Sequence, residues 1–166
     1  MKFSFLRLAL VAAVSLVASC ATISYYHGPS GDGSSNAVIR NFYRSGKEKG
    51  FYQNFTIVRV DDLQADYRRG APGKNGIMLA PGPHRIQLYA ESYSGLLSVP
   101  YEAWLEISFA AGAGRSYRPQ GYVDGMNVIV WIKDEGSGKD VTGRKTVPLH
   151  VTTGYGPLRP PPLENP

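Results

Sequence analysis

Residues 84–91 alternate apolar and polar side chains: Ile86, Leu88 and Ala90 fall on one face, and Arg85, Gln87 and Glu91 on the other. Residues 101–109 repeat the pattern, with Tyr101, Leu105, Ile107 and Phe109 inward and Glu102, Trp104 and Glu106 outward. A period of two marks a half-buried strand, and no segment offers a convincing helical period in its place. Residues 55–60 and 127–132 are β-branched or aromatic and apolar on both faces, as suits strands interior to a sheet. Turn chemistry separates these segments. Asp124-Gly125 sits between two strand-like runs and predicts a hairpin in which glycine supplies a positive φ. Pro81-Gly82 suits the middle of a type II turn between 76–79 and 84–91. Residues 37–44 suit a strand or a short helix, their residue types favouring the strand, and 146–151 close the set. The prediction is an all-β chain: a small antiparallel β-sandwich of about seven or eight strands, with an open barrel as the alternative architecture.

The ends of the chain carry different information. Lys2 and Arg7 flank an apolar stretch from Leu8 to Val17 that is too short to span a bilayer and has the form of a cleavable signal. It closes on Val17-Ala18-Ser19-Cys20, which holds the only cysteine of the chain. That sequence resembles the lipobox of bacterial lipoproteins. The resemblance implies cleavage of residues 1–19, acylation of Cys20, and a partner in membrane lipid. Ala21 stands where an aspartate signals inner-membrane retention in enteric-type lipoproteins, so it implies the outer membrane, facing the periplasm. A triply acylated cysteine holds a protein on a membrane stably, whereas one chain does so only marginally. With Cys20 acylated, the remaining chain has no cysteine and depends on its core alone. Residues 20–36, rich in glycine and serine, read as a flexible tether of about 20–25 Å average span. Tyr25 and Tyr26 are apolar enough either to enter the membrane interface or to pack on the domain. The domain itself is assigned to 37–151, and 152–166 to a proline-rich disordered tail.

A second resemblance covers the domain. A strand ending in Val60-Asp61-Asp62 is followed by Leu79-Ala80-Pro81-Gly82-Pro83-His84-Arg85-Ile86-Gln87-Leu88. This is similar to PEGA-type small β domains and to uncharacterised bacterial lipoproteins built around the same hairpin. Ala113-Gly114-Arg115-Ser116-Tyr117 and Trp131-Ile132-Lys133-Asp134, with Gly138 beyond, match the later part of that pattern. The resemblance implies a β-sandwich with a binding or architectural role and transfers no catalytic residue.

Motifs for chemistry are missing from the sequence. His27, His84 and His150 have no metal-ligand spacing, and His84 shares a face with Ile86 and Leu88, which suits a hydrogen-bonded, partly buried ring. Gly138-Lys139-Asp140 lacks both the leading glycine and the Ser/Thr of a phosphate loop, and Gly112-x-Gly114 lacks the third glycine of a dinucleotide site. Asp61, Asp62 and Asp66 lack EF-hand spacing and read as a solvated turn. No cofactor is expected, and the chain is not expected to be an enzyme. Loss of Lys2 and Arg7 with the signal leaves a formal charge of +3, with basic residues scattered, so nucleic acid is not an expected partner. The functional lead is aromatic. Trp104, Tyr89 and Trp131 each fall on the outward, polar face of their strands and are the candidate surface for an envelope protein or a glycan. The reading is a lipid-anchored envelope protein acting as a non-catalytic binding or scaffolding module. The alternatives are a glycan- or peptidoglycan-binding module, and an enzyme or inhibitor whose site forms only in three dimensions.

Overall fold

A computed structural model describes residues 24–30, 34–45, 51–65, 76–94 and 99–152. Cys20, the signal before it and the tail after Thr152 lie outside the described residues. Twelve strands are present among those described: β1 (Tyr25–Tyr26), β2 (Ala37–Ile39), β3 (Phe42–Ser45), β4 (Phe51–Val60), β5 (Leu63–Ala65), β6 (Ile77–Leu79), β7 (Gly82–Ser94), β8 (Tyr101–Ala111), β9 (Ser116–Asp124), β10 (Asn127–Asp134), β11 (Lys145–Pro148) and β12 (His150–Val151). One seven-stranded sheet runs β1-β5-β4-β7-β8-β12, with β3 also paired to β4, and a five-stranded sheet runs β11-β10-β9-β2-β6. The all-β sandwich class is therefore correct.

The core lies between the two sheets. Phe55, Ile57, Val60, Ile86, Leu88, Ala90, Leu105 and Ile107 face it from the first, and Ile39, Leu79, Val128, Val130 and Ile132 from the second. Each fully buried aliphatic side chain stabilises the fold by about 1.5–3 kcal/mol relative to exposure. The alternation in 84–91 and 101–109 places these residues inward as the sequence predicted. β4 reconciles apolar residues on both faces with a single core by means of a bulge. Ile57 lies opposite Leu88 and Val60 opposite Ile86, so Val58 is an extra residue and the strand re-phases across it. Asn41 stabilises this irregularity, its Oδ1 accepting the Ile57 N–H at 3.0 Å.

Besides the strand number, twelve among the described residues against about seven or eight expected, four details differ from the expectation. First, the sheets are mixed, because β1 pairs β5 in parallel and β2 pairs β9 in parallel. Second, residues 37–44 form two strands rather than one. β2 joins the five-stranded sheet and β3 the seven-stranded one, so the chain crosses between layers at Arg40 and Asn41. Third, Pro81-Gly82 does not close a hairpin. β6 pairs β2, while β7 pairs β4 and β8, and Gly82 with φ 131° bends the chain from one sheet to the other. Fourth, the domain begins before residue 37: of the two places open to Tyr25 and Tyr26, they take the domain, pairing with β5 within the stretch assigned to the tether. Ser24 O accepts the Gln64 N–H at 3.1 Å, Tyr26 packs against the core, and its phenol is pushed above the ordinary tyrosine range by burial and then by Asp61.

The β9–β10 hairpin forms as expected, with Asp124 opposite Asn127 and Gly125 at φ 58° in the first central position. β4 and β5 are joined by Asp61 and Asp62, both left-handed at φ 50° and 67°, the geometry of a type I′ turn. Asp61 tolerates this conformation because its carboxylate is fully used: Oδ1 accepts the Arg85 N–H at 2.9 Å and Oδ2 lies 2.7 Å from His84 Nδ1. His84 Nε2 lies 2.7 Å from the Ala80 carbonyl, so the ring is a hydrogen-bonded structural element, as its position in the alternation implied. Replacing Asp61 with alanine removes two charge-assisted bonds and leaves a β-carbon at positive φ. The expected loss is about 2–3 kcal/mol, read as a lowered urea midpoint at constant m-value. An unchanged midpoint would refute this account of the turn.

Candidate binding surface

Strand register determines which outward side chains meet. On the outer face of the seven-stranded sheet Tyr89 lies directly opposite Trp104, with ring centroids 5.0 Å apart and tilted by 57°. Cross-strand aromatic pairs of this kind contribute about 0.5–1.5 kcal/mol beyond area burial. Tyr89 is only 1% exposed although it points away from the core between the sheets. Its hydroxyl donates to Glu102 Oε2 at 3.0 Å, and Thr152 Oγ1 donates to the same oxygen at 2.7 Å. Burial, then the Glu91 and Glu102 carboxylates, push the Tyr89 phenol well above the ordinary tyrosine range. Glu102 is itself buried and lies opposite Glu91 in the register.

The same face carries a row of tyrosines four residues further along. Tyr52 lies opposite Tyr93, with stacked rings at 5.5 Å and 15°, and Tyr43 of β3 stacks on Tyr52 at 6.5 Å and 24°. Rings so close and so nearly parallel stand on the sheet face to face, and Tyr43 at the end of the row is 68% exposed. Glu91 links the two aromatic groups. It hydrogen-bonds Tyr52, whose phenol is raised by burial and then by this carboxylate, and it acts on Tyr89 as well. Toward the other end of the face, Arg59, Asp62, Arg85, Gln87 and Glu106 line a shallow polar depression. Arg85 there pairs with Asp62 and lies 3.6 Å from Glu106, while the buried Gln87 Oε1 receives no hydrogen bond among the described residues.

Of the three aromatics singled out from sequence, Tyr89 and Trp104 are brought together and Trp131 is not. Trp131 belongs to the five-stranded sheet, opposite Gln120, where Tyr122 meets it edge-on at 6.2 Å and the Arg144 guanidinium lies 4.7 Å from its ring centre. The two outward faces are on opposite sides of the sandwich, so the three rings cannot form one surface. Tyr43, Tyr52 and Tyr93 were missed. Tyr93 was legible as the residue four places after Tyr89 on the same face, had the strand been carried past Glu91. The other two depend on the extent and partners of β3 and β4.

Among the described residues, no three His, Cys, Asp or Glu side chains gather to hold a metal ion, and no helix is long and apolar enough to cross a membrane. Asp134 Oδ1 accepts the N–H groups of Gly136 and Ser137, and these bonds, that to Ser137 foremost, hold its carboxyl below the ordinary range. The segment around Gly138-Lys139 is thus a carboxylate-capped turn. Comparison of the chain with protein-family models, with curated proteins and with solved structures finds no match to any of them.

Proposed function

We propose that this chain is a lipid-anchored envelope protein, acylated at Cys20 and held on the periplasmic leaflet of the outer membrane, whose sandwich acts as a non-catalytic binding module. The signal-like run ending in the lone cysteine supports the anchor. The observation that carries the binding role is the outer face of the seven-stranded sheet, where Tyr43, Tyr52, Tyr93, Trp104 and the Glu91 carboxylate share one side above the buried Tyr89 and Glu102. Tyrosine and tryptophan are the usual anchors of such surfaces, because they offer large contact area with little entropy to lose. The first reading of the ligand is an envelope protein that contacts the exposed Tyr43 end. The second is a glycan, favoured by the planar polar groups of Arg59, Gln87 and Glu106 beside the Trp104 strand.

Two measurements test this. Intact mass and membrane fractionation of the native protein beside Cys20→Ala should show a truncated, acylated chain in the outer membrane that the variant fails to give. A soluble wild type with a free thiol would end the proposal. Cosedimentation with purified peptidoglycan then separates the ligand readings. If the ligand is glycan, Trp104→Ala, two residues from Glu106 on the same face, weakens binding by about 30-fold, the loss of roughly 2 kcal/mol typical of a central aromatic anchor. Absence of wild-type binding, or binding indifferent to Trp104, eliminates the glycan reading.

A further inference from the structure

The docking of Tyr25–Tyr26 changes the geometry of the anchor. β1 runs parallel to β5, and β5 begins directly after the Asp61–Asp62 turn, so the chain enters the domain from the end that carries this turn. The same end holds the loop of residues 112–115 between β8 and β9 and the turn of Glu135–Lys139 after β10. Gly28 continues the contact by lying against β6, where an added β-carbon would come within 2.9 Å of the Met78 carbonyl. Only residues 21–23 separate Cys20 from the docked Ser24. Ser24, already bonded to Gln64, is four residues from Cys20, and four residues reach at most about 14 Å when fully extended.

We infer that the acylated protein is seated with this entry end against the phospholipid bilayer, instead of swinging on a tether. The inference rests on acylation of Cys20, proposed above, and adds an orientation to it. With Ser24 confined to about 14 Å from the acylated residue, the entry end faces the headgroups. The nine residues of β9 span about 30 Å, so the opposite end is held about that far from the membrane. That far end carries the Tyr52–Tyr93 stack and the exposed apolar residues Val99, Met126 and Val151. Its apolar character by itself would favour the membrane; the anchor directs it into the periplasm, where a protein or polymer can reach it.

The test uses the acylated full-length protein in vesicles of phosphatidylethanolamine and phosphatidylglycerol doped with a nickel-chelating lipid. Acylation blocks Cys20, so a nitroxide attaches only to an introduced thiol. Ala113→Cys labels the entry end and Met126→Cys the far end, both at exposed turn positions. The expected result is strong broadening of the spectrum at 113 and none at 126. A long Gly-Ser insert between Cys20 and Ser24 should abolish the difference. Equal broadening at both sites, or broadening at 126 alone, in protein whose mass confirms acylation overturns the seating and leaves the anchor standing. Protein that carries no acyl group and does not cosediment with vesicles overturns both.

Discussion

Gly121→Val should unfold much of the protein at temperatures where the wild type is intact. Gly121 lies in β9 opposite Val130, and a β-carbon there would come 2.5 Å from the Ile129 carbonyl and 2.7 Å from the Phe55 ring. Phe55 belongs to the other sheet and is 1% exposed, so its ring fills the space left by the missing side chain and joins the two layers. Both obstacles are rigid: one is backbone of the neighbouring strand and the other a ring already stacked on Phe42 at 5.3 Å. Ordinary overpacking of a core costs 1–3 kcal/mol, and a clash with backbone belongs at or beyond the top of that range. A loss of about 3 kcal/mol is a large part of the 5–15 kcal/mol that a domain of this size holds. Thermal unfolding followed by circular dichroism should show the midpoint lowered by on the order of 10–20 °C. Phe55→Leu in the same chain should recover part of the loss, because contacting residues are energetically coupled. A variant melting within a few degrees of the wild type would mean that Phe55 does not pack on Gly121.

The second large effect is expected at Tyr89. Tyr89→Ala removes a buried ring that Trp104 packs against and should cost about 3–5 kcal/mol. Tyr89→Phe keeps the ring and deletes only the donor to the buried Glu102, at a cost of about 1–3 kcal/mol. The two variants thus separate packing from hydrogen bonding. The raised phenol also predicts a pH dependence. Because the folded state holds the Tyr89 proton more tightly than the unfolded chain, its contribution is fully present below the ordinary tyrosine value of about 10 and is lost as pH rises above it. Stability measured from neutral to strongly alkaline pH should fall in that window, and the fall should be shallower in Tyr89→Phe. Parallel curves for the two proteins would contradict the assignment.

Much of the strand content was legible because its cause is local. The alternation in 84–91 and 101–109 expresses the two-residue repeat of a pleated chain, and the Asp124-Gly125 turn depends on one glycine at positive φ. Nothing local distinguishes Ile39 from Phe42 as members of different sheets. Both are apolar, both prefer strand, and the crossing at Arg40 and Asn41 is decided by which neighbours each can pair with. The same applies to Pro81-Gly82, whose composition suits a tight turn equally well within one sheet or between two.

The candidate surface shows the division most clearly. Sequence alone determined that Tyr89, Trp104 and Trp131 point away from the core, since each takes its face from its own strand's alternation. Whether outward residues meet depends on register and sheet membership, which couple positions far apart in the chain. Tertiary structure placed Tyr89 opposite Trp104, stacked Tyr43 on Tyr52 across β3 and β4, and sent Trp131 to the opposite side of the sandwich. It also docked Tyr25 and Tyr26 in a segment whose glycine and serine content suggested a tether. Their pairing with β5 depends on an edge that exists only after β4 and β5 have folded back on each other.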